Sequence, residues 1–258
     1  MFGSILKKKK KTKKKERHTK KSHSFFLANW LGSDIAIDLG TANIIVYVKN
    51  RGIVVNEPAV IAVDKNTNKV IAIGKEARAM LERTPEHIDA YHPMQNGVIA
   101  DYDATEYMLR YFIRKAIGNA LFFKPRVIIC VPSSVTNVER RAVMEAAMQA
   151  GARKTVVMEE PLAAAIGAGL DIASSNGSMV VDMGGGTTDV AVLSLSGIVI
   201  SESLRIGSNT FDEAIITYLE KIKHVTIGRH TAEELKILIG TALPDGRNLT
   251  ADVRGRSL

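Results

Sequence analysis

Two stretches of this chain, 144 residues apart at their aspartates, can be laid one upon the other. Ser178-Met-Val-Val-Asp182-Met-Gly184 lies on Asp34-Ile-Ala-Ile-Asp38-Leu-Gly40, Val190-Ala-Val-Leu-Ser-Leu195 on Ile44-Ile-Val-Tyr-Val-Lys49, and Gly197-Ile-Val-Ile200 on Gly52-Ile-Val-Val55. The Asp-to-Gly spacing is 14 residues in the first copy and 15 in the second, with the extra residue in the run Gly184-Gly185-Gly186. Each copy reads as strand, turn, strand, turn, strand, because short β-branched runs are punctuated by glycine. A length of 258 residues allows one large domain or two modest ones. The internal repeat narrows this to two similar α/β domains facing each other across a cleft.

Between the copies the pattern changes. Lys49-Asn-Arg-Gly52 is a turn and Ile53-Val-Val55 a third strand, while Ala59–Val63 and Val70–Ile73 flank Asp64-Lys-Asn-Thr-Asn68 as a hairpin. Helical spacing predicts helices over 75–83, 103–119 and 137–150. Pro132 and Thr136-Asn-Val-Glu139 mark a loop leading into the third of these, and Pro161 opens another helix at its first turn. Residues 171–178 read as a linker.

The repeated turns carry the chemistry. Asp38-Leu-Gly40-Thr41-Ala42-Asn43 and Asp182-Met-Gly184-Gly185-Gly186-Thr187-Thr188-Asp189 each put an aspartate at a strand end before a Gly/Thr-rich turn. Glycines let backbone N–H groups approach an anion closely, and threonine hydroxyls add donors. Asp38 and Asp182 suit Mg²⁺ held through water, since that ion keeps several of its own waters. One such turn is ordinary hairpin chemistry; two in register within a repeat can clamp the phosphates of a nucleotide from both sides. No P-loop is present, because Gly74-Lys75 is followed by Glu76, and no Gly-x-Gly-x-x-Gly follows a strand.

Charge separates the chain into a tail and a body. Residues 1–33 hold eleven Lys/Arg against Glu16, leaving 24 basic and 26 acidic side chains in the remainder. The formal charge of +8 is thus a +10 arm on a −2 body, which disfavours a folded nucleic-acid-binding face and predicts no specific nucleic-acid partner. So dense a run of like charge is expected to be disordered to about Ser24. The single Cys130 excludes a disulfide scaffold and a thiolate zinc site, and its apolar run reads as a buried strand. No apolar stretch approaches the ~18–20 residues of a membrane span, so a cytosolic body is expected. Phe25, Phe26 and Trp30 follow the polybasic run, and Leu121-Phe122-Phe123 is an apolar triplet ahead of a strand. Apolar groups beside lysines suit an anionic membrane surface, each nearby Lys being worth about 1 kcal/mol. The bland alternatives are a solvated charge run and a loop folded back on the core.

These residues resemble a known family. Ile37-Asp-Leu-Gly-Thr-Ala-Asn43 and Val181-Asp-Met-Gly-Gly-Gly-Thr-Thr-Asp189 resemble the two phosphate motifs of the actin-like ATPase superfamily. Asn56-Glu-Pro-Ala-Val60, Val131-Pro-Ser-Ser-Val-Thr-Asn-Val-Glu-Arg-Arg141, Glu159-Glu-Pro-Leu-Ala-Ala-Ala165 and Thr231-Ala-Glu-Glu-Leu-Lys236 are similar to the rod-shape-determining MreB family within it. The resemblance covers residues 30–258 and implies a ribonuclease H-like duplicated fold around a nucleotide cleft, with a disordered basic N-terminal tail. It divides the chain into a tail (1–33), a first large subdomain (34–64 and 99–173), a first small one (65–98), a second large one (174–209) and a second small one (210–258). It implies ATP and Mg²⁺ as cofactors.

The implied site residues follow the motifs. Gly40, Thr41, Ala42, Asn43 and Ile44 would line the nucleotide in the first loop, and Gly184, Gly185, Gly186 and Thr187 in the second. Asp38 and Asp182 would organise the metal, with Asp182 and Thr187 also close to the chemistry. Glu139 would orient the attacking water, although alone it reads as a first-turn glutamate favoured by the helix dipole. Glu233, Glu234, Leu235 and Lys236 would contact the adenosine, although alone they read as an exposed helix face. Leu121, Phe122, Phe123, Phe25, Phe26 and Trp30 would meet the bilayer. The family further implies filaments of the chain with itself on the anionic inner face of the cell membrane, alongside the cell-wall elongation machinery, maintaining rod shape. The competing reading is a non-polymerising actin-fold ATPase of the chaperone or kinase type. Three departures stand out: Ser208-Asn209 where the family tends to have Gly-Asp, the long lysine tail, and the stop at Leu258 before a Gly-Gly-Gly-Ala adenosine loop. The last leaves ATP hydrolysis by this chain open and predicts a second large subdomain without its full cover.

Overall fold

The computed structural model describes residues 34–81, 84–118, 124–243, 246 and 248–258. The expected tail with Phe25, Phe26 and Trp30, and the triplet Leu121, Phe122 and Phe123, lie outside the described residues. The first repeat is an antiparallel meander of β1 (Asp34–Leu39), β2 (Asn43–Val48) and β3 (Gly52–Pro58). β3 outruns the predicted Ile53–Val55 because its ladder with β2 continues until Pro58 stands opposite Asn43. β4 (Ile61–Asp64) and β5 (Lys69–Ile73) form the expected hairpin. The helix predicted over 75–83 is a single turn, α1 (Lys75–Arg78). Gly74 provides no side-chain cap, and the residue before Pro85 is barred from helical backbone. β6 (Ile88–Tyr91), which sequence reading missed, pairs with the other side of β4.

The chain then makes a tight hairpin, β7 (Met94–Gln95) and β8 (Val98–Ile99), and enters α2 (Tyr102–Ile117). Asp101 caps that helix by accepting from the Ala104 amide at 3.0 Å. β9 (Arg126–Val131), α3 (Asn137–Gln149), β10 (Lys154–Glu159) and α4 (Glu160–Gly167) complete the first half. β9 and β10 run parallel to β1, giving the sheet order β10-β9-β1-β2-β3. One face of this sheet packs on α2 and α3, so Ile35, Ile37, Leu39, Ile44, Val46 and Val48 meet Met108, Leu109, Phe112, Val143 and Ala146. Each such aliphatic side chain contributes ~1.5–3 kcal/mol on full burial.

The second repeat is the same meander, β11 (Ser178–Met183), β12 (Thr188–Ser194) and β13 (Gly197–Leu204). α4 lies on it, with Ala165 against Ala191 and Leu193. α5 (Ser208–Tyr218) runs into a π turn at Leu219–Lys223, followed by β14 (Val225–Thr226), α6 (Arg229–Ile239) and β15 (Arg256–Ser257). α5 and α6 pack over a small cluster that includes Ile227, Ala232 and Leu235. No helix among the described residues is long and apolar enough to cross a membrane.

Candidate functional site

The two repeated turns meet. Residues 38–43 after β1 and residues 184–187 after β11 line one cavity of about 180 Å³, together with Ile45, Gly97, Glu160 and Asp182. The loops touch: a Cβ on Gly185 would stand 2.7 Å from the Ala42 Cβ, and one on Gly186 would stand 2.8 Å from Thr41 Oγ1. A Cβ fits at neither position, which is the physical reason for glycine at 185 and 186. The second loop is closed by the Gly184 amide donating to the Thr187 carbonyl at 2.8 Å. It is held from below by α5, whose Ser208 and Asn209 amides donate to the Gly184 and Gly185 carbonyls at 3.1 and 2.9 Å. Amides left over at a helix start are satisfied in this way. Backbone makes both bonds, so the departure to Ser208-Asn209 leaves the buttress intact.

Among the described residues three carboxylates line the cavity and no Lys or Arg does. Burial, and then the negative charge of Asp182, push the Asp38 carboxyl up to about 6. Glu160 rises to about 8 through burial and the charges of Asp38, Asp189 and Asp182. Asp182 is raised too, by burial and by Asp189, its directly paired partner across the β11–β12 ladder. Asp189 is buried and accepts from the Ser133 amide at 2.9 Å, tying the second repeat to the end of β9. Concentrated negative charge without a counter-cation suits a divalent ion. Among the described residues no three such side chains converge closely enough to ligate a metal directly. Cys130 sits beside this cluster, and burial with the neighbouring carboxylates pushes its thiol up to about 12, so it is inert.

The sequence-predicted residues divide between the cavity and positions away from it. Gly40, Thr41, Ala42, Asn43, Gly184, Gly185, Gly186, Thr187, Asp38 and Asp182 all line the cavity. Ile44 does not; its side chain is fully buried in the core, and Ile45 lines the cavity instead. Strand alternation sends neighbours to opposite faces, and the core face takes Ile44. Glu139 is also absent from the lining. It closes a capping box with Thr136, whose amide and hydroxyl donate to its carboxylate at 2.8 Å, and these bonds hold its carboxyl below the usual range. Glu233 pairs with Arg78 at 2.5 Å, Glu234 lies 3.7 Å from His230, and Lys236 bonds Asp212 at 2.7 Å and the Ser208 carbonyl at 3.1 Å. Leu235 is buried in its own cluster. Sequence reasoning missed Glu160 and Gly97. The Glu-Glu-Pro signal was visible, but as a helix start; only the fold puts the second glutamate in the cavity.

A family model described as MreB/Mbl protein matches residues 32–258. The chain is 48% identical over 225 residues to the cell shape-determining protein Mbl of Bacillus cereus, covering 87% of this chain and 68% of that one. It is 51% identical over 231 residues to the cell shape-determining protein MreB of Escherichia coli, covering 88% and 67%. MreB5 of Spiroplasma citri, solved bound to ADP, superposes with a TM-score of 0.82 at 35% identity, covering 89% of this chain and 69% of that one. The same protein has been solved bound to AMPPNP.

Proposed function

The chain belongs to the MreB/Mbl protein family of cell shape-determining, actin-like proteins, and from that premise we propose that it binds ATP between its two repeated loops and assembles into filaments. The observation that carries this reading is the contact of the loops, one from each copy of the repeat, around a single carboxylate-lined cavity. Backbone amides at residues 40–43 and 185–187, with the Thr41 and Thr187 hydroxyls, supply donors to the terminal phosphates. Asp38 and Asp182 would hold a Mg²⁺ ion. That ion would neutralise the carboxylates and draw charge from the terminal phosphate.

Glu160 takes the role that the family resemblance implies for Glu139. It lines the cavity, and the Pro161 turn at the head of α4 points it there from a rigid element. With a cation bound, its carboxylate is ionised and orients the water that attacks in line. Glu139 serves as a helix cap. We further propose the subdomain division above, with α6 and its residues Glu233, Glu234, Leu235 and Lys236 beside the adenosine in the closed state. The ancestral setting of the family supports polymerisation at the inner membrane surface near the wall-synthesis machinery, with Phe25, Phe26, Trp30, Leu121, Phe122 and Phe123 as the membrane contacts.

The test is sedimentation of the full chain with ATP, followed by electron microscopy. Filaments that require ATP are expected; a monomer that turns over ATP without sedimenting would favour the non-polymerising alternative. Glu160→Gln should lower phosphate release by about a hundredfold with ATP affinity nearly kept, whereas Glu139→Gln should leave the rate within a factor of about two. The reverse ranking would return the role to Glu139.

A further inference from the structure

A hairpin tip from the first half reaches into the seam between the two glycine-rich loops. β7 and β8 are joined by Asn96 and Gly97, both in left-handed backbone with φ 49° and 77°, the geometry of a mirror-image two-residue turn. The Gly97 amide donates to Thr41 Oγ1 at 3.1 Å, so the tip is fastened to the first loop. A Cβ on Gly97 would stand 2.5 Å from Pro132 Cγ and 3.2 Å from Thr187 Cγ2, and one on Gly186 would stand 3.0 Å from the Asn96 Cα. The tip therefore meets the first loop, the second loop and the end of β9 together, with no spare room on the β9 side.

Its base is equally fixed. The Ala100 and Asp101 amides donate to the Pro93 carbonyl at 2.9 and 3.1 Å. Asp101 caps α2 and also accepts from the Tyr91 hydroxyl at 2.7 Å. The hairpin is thus anchored on the start of the core helix, and its tip cannot drift independently of the first half.

We propose that the Asn96–Gly97 turn is a spacer that sets the gap between the two loops and thereby selects the length of the phosphate chain the cavity accepts. The proposal rests on the nucleotide reading above. Close-packed interiors transmit small volume changes rather than absorb them. A methyl at residue 97 must push Pro132 or Thr187 outward, and the second loop moves with Thr187. The loops face the terminal phosphates, so a wider gap weakens a triphosphate most, a diphosphate less and a monophosphate least.

Binding of ATP, ADP and AMP to the full chain tests this. Gly97→Ala should weaken ATP by about tenfold, ADP by less, and leave AMP unchanged. Left-handed backbone also strains any alanine there, so Pro132→Ala is added to remove the ring that the new Cβ meets. The double variant should recover the ATP-to-ADP preference although the backbone strain remains. Asn96→Gly eases the turn without adding volume and should leave that preference unchanged. Equal weakening of all three nucleotides, or no recovery with Pro132→Ala, overturns the spacer. If the unaltered chain binds none of the three, the nucleotide reading falls on its own. The spacer is then judged by amide exchange at residues 40–43 and 184–187, which Gly97→Ala should speed and Pro132→Ala should reverse; unchanged exchange overturns it.

Discussion

The two copies of the repeat share a sequence pattern and a meander, yet they are buried on opposite faces. In β1, Ile35, Ile37 and Leu39 are 2%, 0% and 2% exposed; their counterparts in β11, Met179, Val181 and Met183, are 65%, 57% and 65% exposed. The first sheet carries α2 and α3 on that face and has β9 and β10 along its edge. The second, among the described residues, is three strands with α4 on the other face, where Ala191 and Leu193 are buried. A strand's apolar stripe states which residues are able to be buried, and a covering element decides whether they are. The comparison extends to the cavity, where both aspartates are raised: Asp38 up to about 6 by burial and then the charge of Asp182, and Asp182 by burial and then the charge of Asp189.

The sharpest way to break this comparison is to truncate equivalent residues. Ile37→Ala should cost about 3–4 kcal/mol, because it opens a cavity in a closed core. Val181→Ala should cost less than about 0.5 kcal/mol, as exposed substitutions do. Urea unfolding of both measures the difference, and equal losses would mean that the β11 face is covered in solution.

A smaller effect tests the cavity. Asp38 and Glu160 have carboxyls raised above their ordinary 3.8 and 4.5, so the native state binds more protons than the unfolded chain. Stability in the presence of a chelator should be full below about pH 4 and fall as pH rises to about 8. Millimolar Mg²⁺ should flatten that decline. Asp38→Asn should relieve part of it, and thermal melts across pH would detect the change; an unaltered slope would mean that Asp38 does not carry the decline.

A further comparison concerns one helix from each half. α3 begins with the Thr136–Glu139 box, whereas α5 begins at Gly207 and gives its first amides to the second loop. Thr136→Ala should therefore lower stability by about 1 kcal/mol with ATP affinity unchanged. A loss of affinity would tie the α3 cap to the cavity after all.

Much of the site was legible before any fold was known. Asp38, Gly40, Thr41, Asp182 and Gly184 to Thr187 are short-range features, since an aspartate at a strand end and a glycine turn are written in consecutive residues. Glu160 and Gly97 were not legible, because each lies far along the chain from the loops it joins. Glu139 stayed ambiguous because a first-turn glutamate satisfies the helix and a catalytic site with the same spacing, and here it closes the Thr136 capping box. Lys236 looked free on an exposed helix face, but Asp212, 24 residues earlier, holds it at 2.7 Å.

By itself, then, the sequence determined the repeat, the strand periods and the two anion-accepting turns, all of which depend on local backbone sterics and alternation. The tertiary structure alone decided that the turns touch, that Glu160 rather than Glu139 enters the cavity, and that Ile37 is buried while Val181 is not. Those outcomes depend on which distant element packs against each residue, and burial free energy comes from that partner as much as from the side chain itself.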